Sequence, residues 1–130
     1  MIEPNENLSR RYMEEANQTL DSLENVDGKW RIIMGYYACY HALYSILMRI
    51  GIKCEIHECT LLLMHSIPGF QQGHIEFIQQ LKEDRIAVQY YLKEKKITDT
   101  KDIRGFIATC KGIREGIDAE RIRRLLSHEN

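Results

Sequence analysis

Apolar positions along this chain recur three and four residues apart, with no strand-like alternation, so helix is the expected regular element. The first helical stretch runs from about Asn7 to Asn25. Leu8, Tyr12, Ala16, Leu20 and Leu23 share one face, and Arg10, Arg11, Glu14 and Glu15 fill the other. Asp27-Gly28 then reads as a turn. The second helix runs from about Lys29 to Ile50 and stops at Gly51, a residue suited to a helix end. It carries two apolar stripes. One holds Met34, Tyr37, Ala38, His41, Ser45 and Met48; the other holds Ile33, Tyr36, Tyr40, Leu43, Leu47 and Ile50. A helix with two such faces is either central to its own core or shared between that core and a second subunit.

A short third helix covers about His57 to Ser66 and is broken by Ile67-Pro68-Gly69. A fourth spans about His74 to Lys95, with Ile78, Leu81, Arg85, Val88 and Leu92 in one register. The charged link from Lys93 to Thr100 leads to a fifth, from Thr100 towards Leu126, with Thr100 as the expected N-cap and Asp102 in the first turn. Its apolar face is Ile103, Phe106, Ile107, Cys110, Ile113 and Ile117. Gly112 and Gly116 weaken its second half, so a break near Gly116 is expected. Four long helices with short connections predict an all-α fold: an up-and-down antiparallel four-helix bundle with an extra short helix, as a single domain over residues 1–130.

Composition changes this picture little. The 18 Lys+Arg against 19 Asp+Glu exclude a strongly basic arm or an acidic tail, though not a local basic patch. The run Ile32 to Met48 lacks full charges for 17 residues but holds four tyrosines, a His and a Ser. It falls short of the ~20 apolar residues of a membrane span, so a buried helix and no membrane partner are expected. Cys39, Cys54, Cys59 and Cys110 follow an N-terminus without an apolar signal segment, which predicts reduced thiols and a cytoplasmic location.

Candidate chemistry is sparse. Arg85 stands in an apolar register, where a guanidinium needs an acceptor. A carboxylate on another helix, or snorkelling to water, would make it structural; a phosphate would make it a binding residue. Tyr37, His41 and Ser45 are four apart on one ridge, and His41 reads either as a satisfied core histidine or as part of a ligand site. Cys54, His57, Cys59 and His65 are four potential soft-metal ligands. However, His57 and Cys59 are two apart on a helix and point apart, so no metal site and no cofactor are expected. The basic stretch Arg121 to His128 reads as a solvated helix end.

The run Gly35-Tyr36-Tyr37-Ala38-Cys39-Tyr40-His41-Ala42-Leu43, then Gly51, then His57 opening the next helix, resembles the signature of HEPN-domain proteins. Downstream, Arg85-Ile86-Ala87-Val88-Gln89-Tyr90 is similar to the Arg-x-x-Ala-Asp-Tyr motif of one stand-alone branch. The resemblance implies a helical bundle, a homodimer or larger assembly, and often a minimal nucleotidyltransferase as partner in a toxin–antitoxin type of system. It implies RNA or a nucleotide as ligand, with Arg85, His41, Tyr37 and His57 as its contacts. Active relatives are metal-independent ribonucleases with an Arg-x(4–6)-His motif, in which His serves acid–base chemistry and Arg stabilises developing charge. Counting from Arg85, Tyr90 stands where that His would be, and Gln89 replaces the branch's Asp. A phenol with an ordinary pKa of ~10 is a poor base at neutral pH. Arg85 and Tyr90 are therefore the candidate catalytic pair of a site that binds more than it cuts. The one literal Arg-x4-His, Arg123 to His128, lies at the chain's end and outside the resemblance.

Overall fold

A computed structural model describes residues 2–128, apart from the side chain of His128. It is all-helical, with no strand among the described residues. The helices are α1 (Glu6–Ser22), α2 (Lys29–Ile50), α3 (His57–Leu63), α4 (Gln72–Tyr90), α5 (Thr100–Gly116) and α6 (Ala119–His128). No described helix is long and apolar enough to cross a membrane.

The second helix is the axis of the molecule. Fourteen of its 22 residues are buried, more than one face can supply, because α2 packs against α1, α4, α5 and α6 together. The second stripe is thus covered within one chain, while Met34, Tyr37 and His41 of the first stay half-buried. Gly35 allows the closest of these contacts: a Cβ there would lie 2.7 Å from Cδ1 of Ile103 on α5. At its end, Gly51 takes the left-handed conformation (φ 90°), and its N–H returns to the Leu47 carbonyl at 2.8 Å. Arg123 of α6 then donates through Nη1 to the carbonyls of Ile50 at 2.9 Å and Ile2 at 2.7 Å. One arginine of the basic C-terminal stretch therefore caps the C-terminus of α2, where carbonyls lack helical partners.

The buried face of α1 differs from the expected one. Ser9 and Met13 are inside with Ala16 and Leu20, while Leu8 and Tyr12 lie half-buried at the edge. A polar contact sets this rotation. Arg114 of α5 donates through Nε to Ser9 Oγ at 2.9 Å, and the Ser9 hydroxyl donates to the Ser45 carbonyl at 2.6 Å. Glu6 closes the same corner by pairing with both Arg114 and Arg49.

Three boundaries also move. The fourth helix ends at Tyr90, not Lys95. Leu92, expected in the buried register of Arg85 and Val88, is 75% exposed with φ 52°, and the Lys93 N–H folds back to the Ala87 carbonyl at 3.1 Å. The sequence Lys93-Glu94-Lys95-Lys96 offers no apolar side chain to hold a further turn on the core. The N-cap of α5 is Asp99 rather than Thr100: its carboxylate accepts from the Lys101 N–H at 2.9 Å, and its charge suits the positive end of the helix. The expected break falls after Gly116, where Ile117 is extended and Asp118 accepts from the Arg121 N–H at 3.1 Å to start α6.

Candidate anion-binding site on α2 and α4

The apolar register of α4 turns Arg85 onto α2, and the side chain is only 8% exposed. Its guanidinium carbon lies over two aromatic rings, 4.9 Å from the centroid of Tyr36 and 5.4 Å from that of Tyr37. Nη1 donates to the Tyr37 hydroxyl at 3.2 Å and to Gln89 Oε1 at 3.1 Å. Nε is buried without a hydrogen-bond partner. Among the described residues no carboxylate pairs with Arg85. A buried cation held by π-faces and neutral oxygens is incompletely compensated, because each of these partners is weaker than a carboxylate or phosphate.

The aromatic floor continues towards α3. Tyr36 and Tyr40, one turn apart on α2, lie with their rings stacked at 6.0 Å. His57, the first residue of α3, stacks on Tyr40 at 3.9 Å, and its Nδ1 is 2.8 Å from the Tyr36 hydroxyl. That hydroxyl is buried and has no other partner among the described residues, so it donates to Nδ1. The imidazole is then neutral and carries its proton on Nε2. The local electrostatics agree. Burial pushes the Tyr36 phenol well above its ordinary range, against the pull of Arg85. Burial first, then the charges of Arg85 and Lys82, hold the His57 pKa below its ordinary value.

Of the residues singled out in the sequence, Arg85, Tyr37 and His57 come together. The Tyr37 ring lies 5.5 Å from that of Tyr36 and 6.1 Å from that of His57. His41 is at the rim of this cluster, with its ring 6.3 Å from Tyr37 and 5.8 Å from Tyr12 of α1. Its Nδ1 is buried and unpartnered, and burial lowers its pKa against the opposing charge of Glu15. Tyr90 is placed elsewhere, 66% exposed at the last turn of α4. No hydrogen bond among the described residues joins it to Arg85, whose partner on that helix is Gln89. Tyr36, Tyr40 and Gln89 were not among the candidate contacts, although Tyr36 and Tyr40 stand in the resembling run and Gln89 in the arginine motif; the four-residue spacings Tyr36–Tyr40 and Arg85–Gln89 were the geometric signal.

The four candidate soft ligands do not assemble. Cys54 and Cys59 bring their sulfurs to 2.7 Å, while the His57 ring is turned to the tyrosines and His65 is exposed. No three His, Cys, Asp or Glu side chains among the described residues are grouped to hold a metal ion. Of the Arg123–His128 pair, Arg123 is engaged at the end of α2 and the His128 side chain lies outside the described residues.

Chemically, this arrangement offers a guanidinium on an aromatic floor and a neutral imidazole with an N–H to give. It can hold an anion. Of the two imidazoles, His57 has its Nδ1 occupied by Tyr36, and His41, whose Nδ1 has no partner, stands at the rim with no contact to Arg85 among the described residues. Comparison with family models, curated proteins and solved structures found no match to the chain.

Proposed function

We propose that this chain is a HEPN-like module that binds a phosphate of a nucleotide or RNA at Arg85, with catalysis weak or lost. In this reading α1, α2, α4 and α5 form an up-and-down four-helix bundle and α3 is the extra short helix that delivers His57. The observation that carries the reading is Arg85 itself: buried and, among the described residues, without a carboxylate and with Nε unpaired. A phosphate would complete its hydrogen bonds. Homodimerisation and a minimal nucleotidyltransferase partner belong to this reading through the sequence resemblance. A reducing, cytoplasmic setting fits the four free cysteines.

The test is binding of an oligouridylate to purified wild type and to Arg85→Met, with RNA integrity followed in EDTA. Binding by wild type, loss in a folded Arg85→Met, and intact RNA are expected. Equal binding by the two proteins would refute the assignment, and cleavage that depends on Arg85 would make the chain a metal-independent ribonuclease instead.

A further inference from the structure

Two sulfurs meet where α3 begins. Cys54 lies in the link between α2 and α3, and Cys59 is the third residue of α3. Their Sγ atoms are 2.7 Å apart, and both thiols are free. Bond formation therefore asks for only a small movement of either sulfur. The two differ in access, since Cys59 is exposed and Cys54 is buried. The remaining cysteines, Cys39 and Cys110, are fully buried and out of reach of solvent.

The second helix holds this pair in place. The Cys54 carbonyl accepts from the Tyr44 hydroxyl at 3.3 Å, and the hydroxyl of Thr60, next to Cys59, is 3.2 Å from that of Tyr40. Between the two cysteines, His57 stacks on Tyr40 and accepts from Tyr36. Three tyrosines spaced four apart on α2 thus fix the segment 54–60 at both ends and in the middle. The helix that carries Cys59 has only seven residues, too few to be stable by itself. It is this tertiary hold that keeps the sulfurs together. Among the described residues no third His, Cys, Asp or Glu joins them to make a metal group.

We infer that Cys54 and Cys59 form a thiol–disulfide exchange site, whose co-reactant is a low-molecular-weight disulfide and whose product is a reversible bond closing residues 54–59 into a ring around His57. The exposed Cys59 sulfur starts the exchange. As a thiolate it attacks one sulfur of the small disulfide; that S–S bond breaks and one small thiolate leaves. Cys54 then gives up its proton and attacks the Cys59 sulfur of the mixed disulfide. The Cys54–Cys59 bond forms and the second small thiolate leaves. The protein has lost two electrons and two protons, and the small disulfide has taken them up as two thiols. The order follows from the surroundings. Burial first, then the hydrogen bond and charge of Cys59, push the Cys54 thiol up to about 12, against a hydrogen bond with Thr60. Cys54 is thus a poor starter. Once Cys59 is tied up in the mixed disulfide, its opposition is gone and its sulfur is the nearest target. In a reducing setting such a bond is transient, a response to oxidant rather than a staple. It needs no ligand at Arg85, so its failure would leave that reading untouched.

The test exposes the full chain to oxidised glutathione and follows it by intact mass and by peptide mapping after alkylation. Wild type is expected to lose two hydrogens, to carry no lasting glutathione, and to yield a Cys54–Cys59 peptide that dithiothreitol opens. Cys54→Ser keeps one glutathione on Cys59. Cys59→Ser, a change at the surface, slows reaction at Cys54 about tenfold or more. Closing the ring raises the Tm of wild type by about 5 °C and leaves that of Cys59→Ser unchanged. The peptide map of wild type is decisive however the serine variants fold. A glutathione that stays on Cys59 of wild type overturns the proposal, as does a bond joining Cys59 of two chains. Two thiols that remain free overturn it too, since the sulfurs would then share only a hydrogen bond. A fall in Tm on oxidation also overturns it, because the bond would then require α3 to leave its place.

Discussion

Replacing Arg85 by methionine should make this protein more stable while abolishing the phosphate binding proposed for it. The change takes away two hydrogen bonds, to Tyr37 and Gln89, and two cation–π contacts, to Tyr36 and Tyr37. Tyr37 is half-buried and Gln89 exposed, so both regain water and each lost bond costs only about 1 kcal/mol. The cation–π contacts are worth about 1 kcal/mol each, and a thioether on the same rings recovers part of that. Against this stands the penalty for holding a charge that is 8% exposed and, among the described residues, unpaired by any carboxylate, several kcal/mol in effect. The balance favours methionine by about 1 kcal/mol. For 130 residues, at about 2.1 cal/mol/K of unfolding entropy per residue, that raises Tm by about 4 °C. Thermal unfolding by circular dichroism measures it. A second arm adds oligouridylate: at a hundredfold excess over Kd the wild type gains about 2.7 kcal/mol and the variant nothing. A fall in Tm of more than about 4 °C in the variant would refute the reasoning, because Arg85 would then be a structural keystone.

Other expected outcomes follow from single features. Gly51→Ala should cost about 2 kcal/mol or more in denaturant unfolding, since a Cβ at φ 90° would collide with Arg123 and lie 2.5 Å from the Ile2 carbonyl. Leu92→Gly should stabilise by about 1 kcal/mol, because glycine relieves the left-handed strain at φ 52°; unchanged or lower stability would show that the Leu92 side chain earns its conformation. Stability should also fall as pH drops below the ordinary histidine value of 6.5. His41 and His57 have lowered pKa values in the fold, so the unfolded chain binds protons first and is favoured as they bind. A pH series of unfolding midpoints, flattened in His41→Gln with His57→Gln, checks this sign.

What the sequence made legible depended on how local the cause was. Gly51 ends α2 through its own backbone, and the two stripes of α2 reflect neighbours on several sides, so both could be read from spacing. Arg85 announced itself by standing among Leu81 and Val88. The end of α4 was hidden because Leu92 continues the three-and-four spacing that a buried face shows; only the turn taken by its backbone breaks the pattern. The face of α1 was misread by one residue because Ser9 is buried for Arg114, which is 105 residues away. The tie from Tyr36 to His57 is likewise tertiary, made by two residues 21 apart on different helices. Tyr90 fell at the position that a motif favours, but the helix turns it outward and gives Gln89 to the arginine.

The central claim, that Arg85 is held ready for an anion, is tested most directly at its own atoms. The buried Nε–H should give a resolved resonance in a nitrogen–proton spectrum, absent in Arg85→Met. Titration with oligouridylate should move that resonance saturably as a phosphate supplies the missing partner. A resonance that stays in place while the oligonucleotide binds elsewhere on the protein would contradict the account.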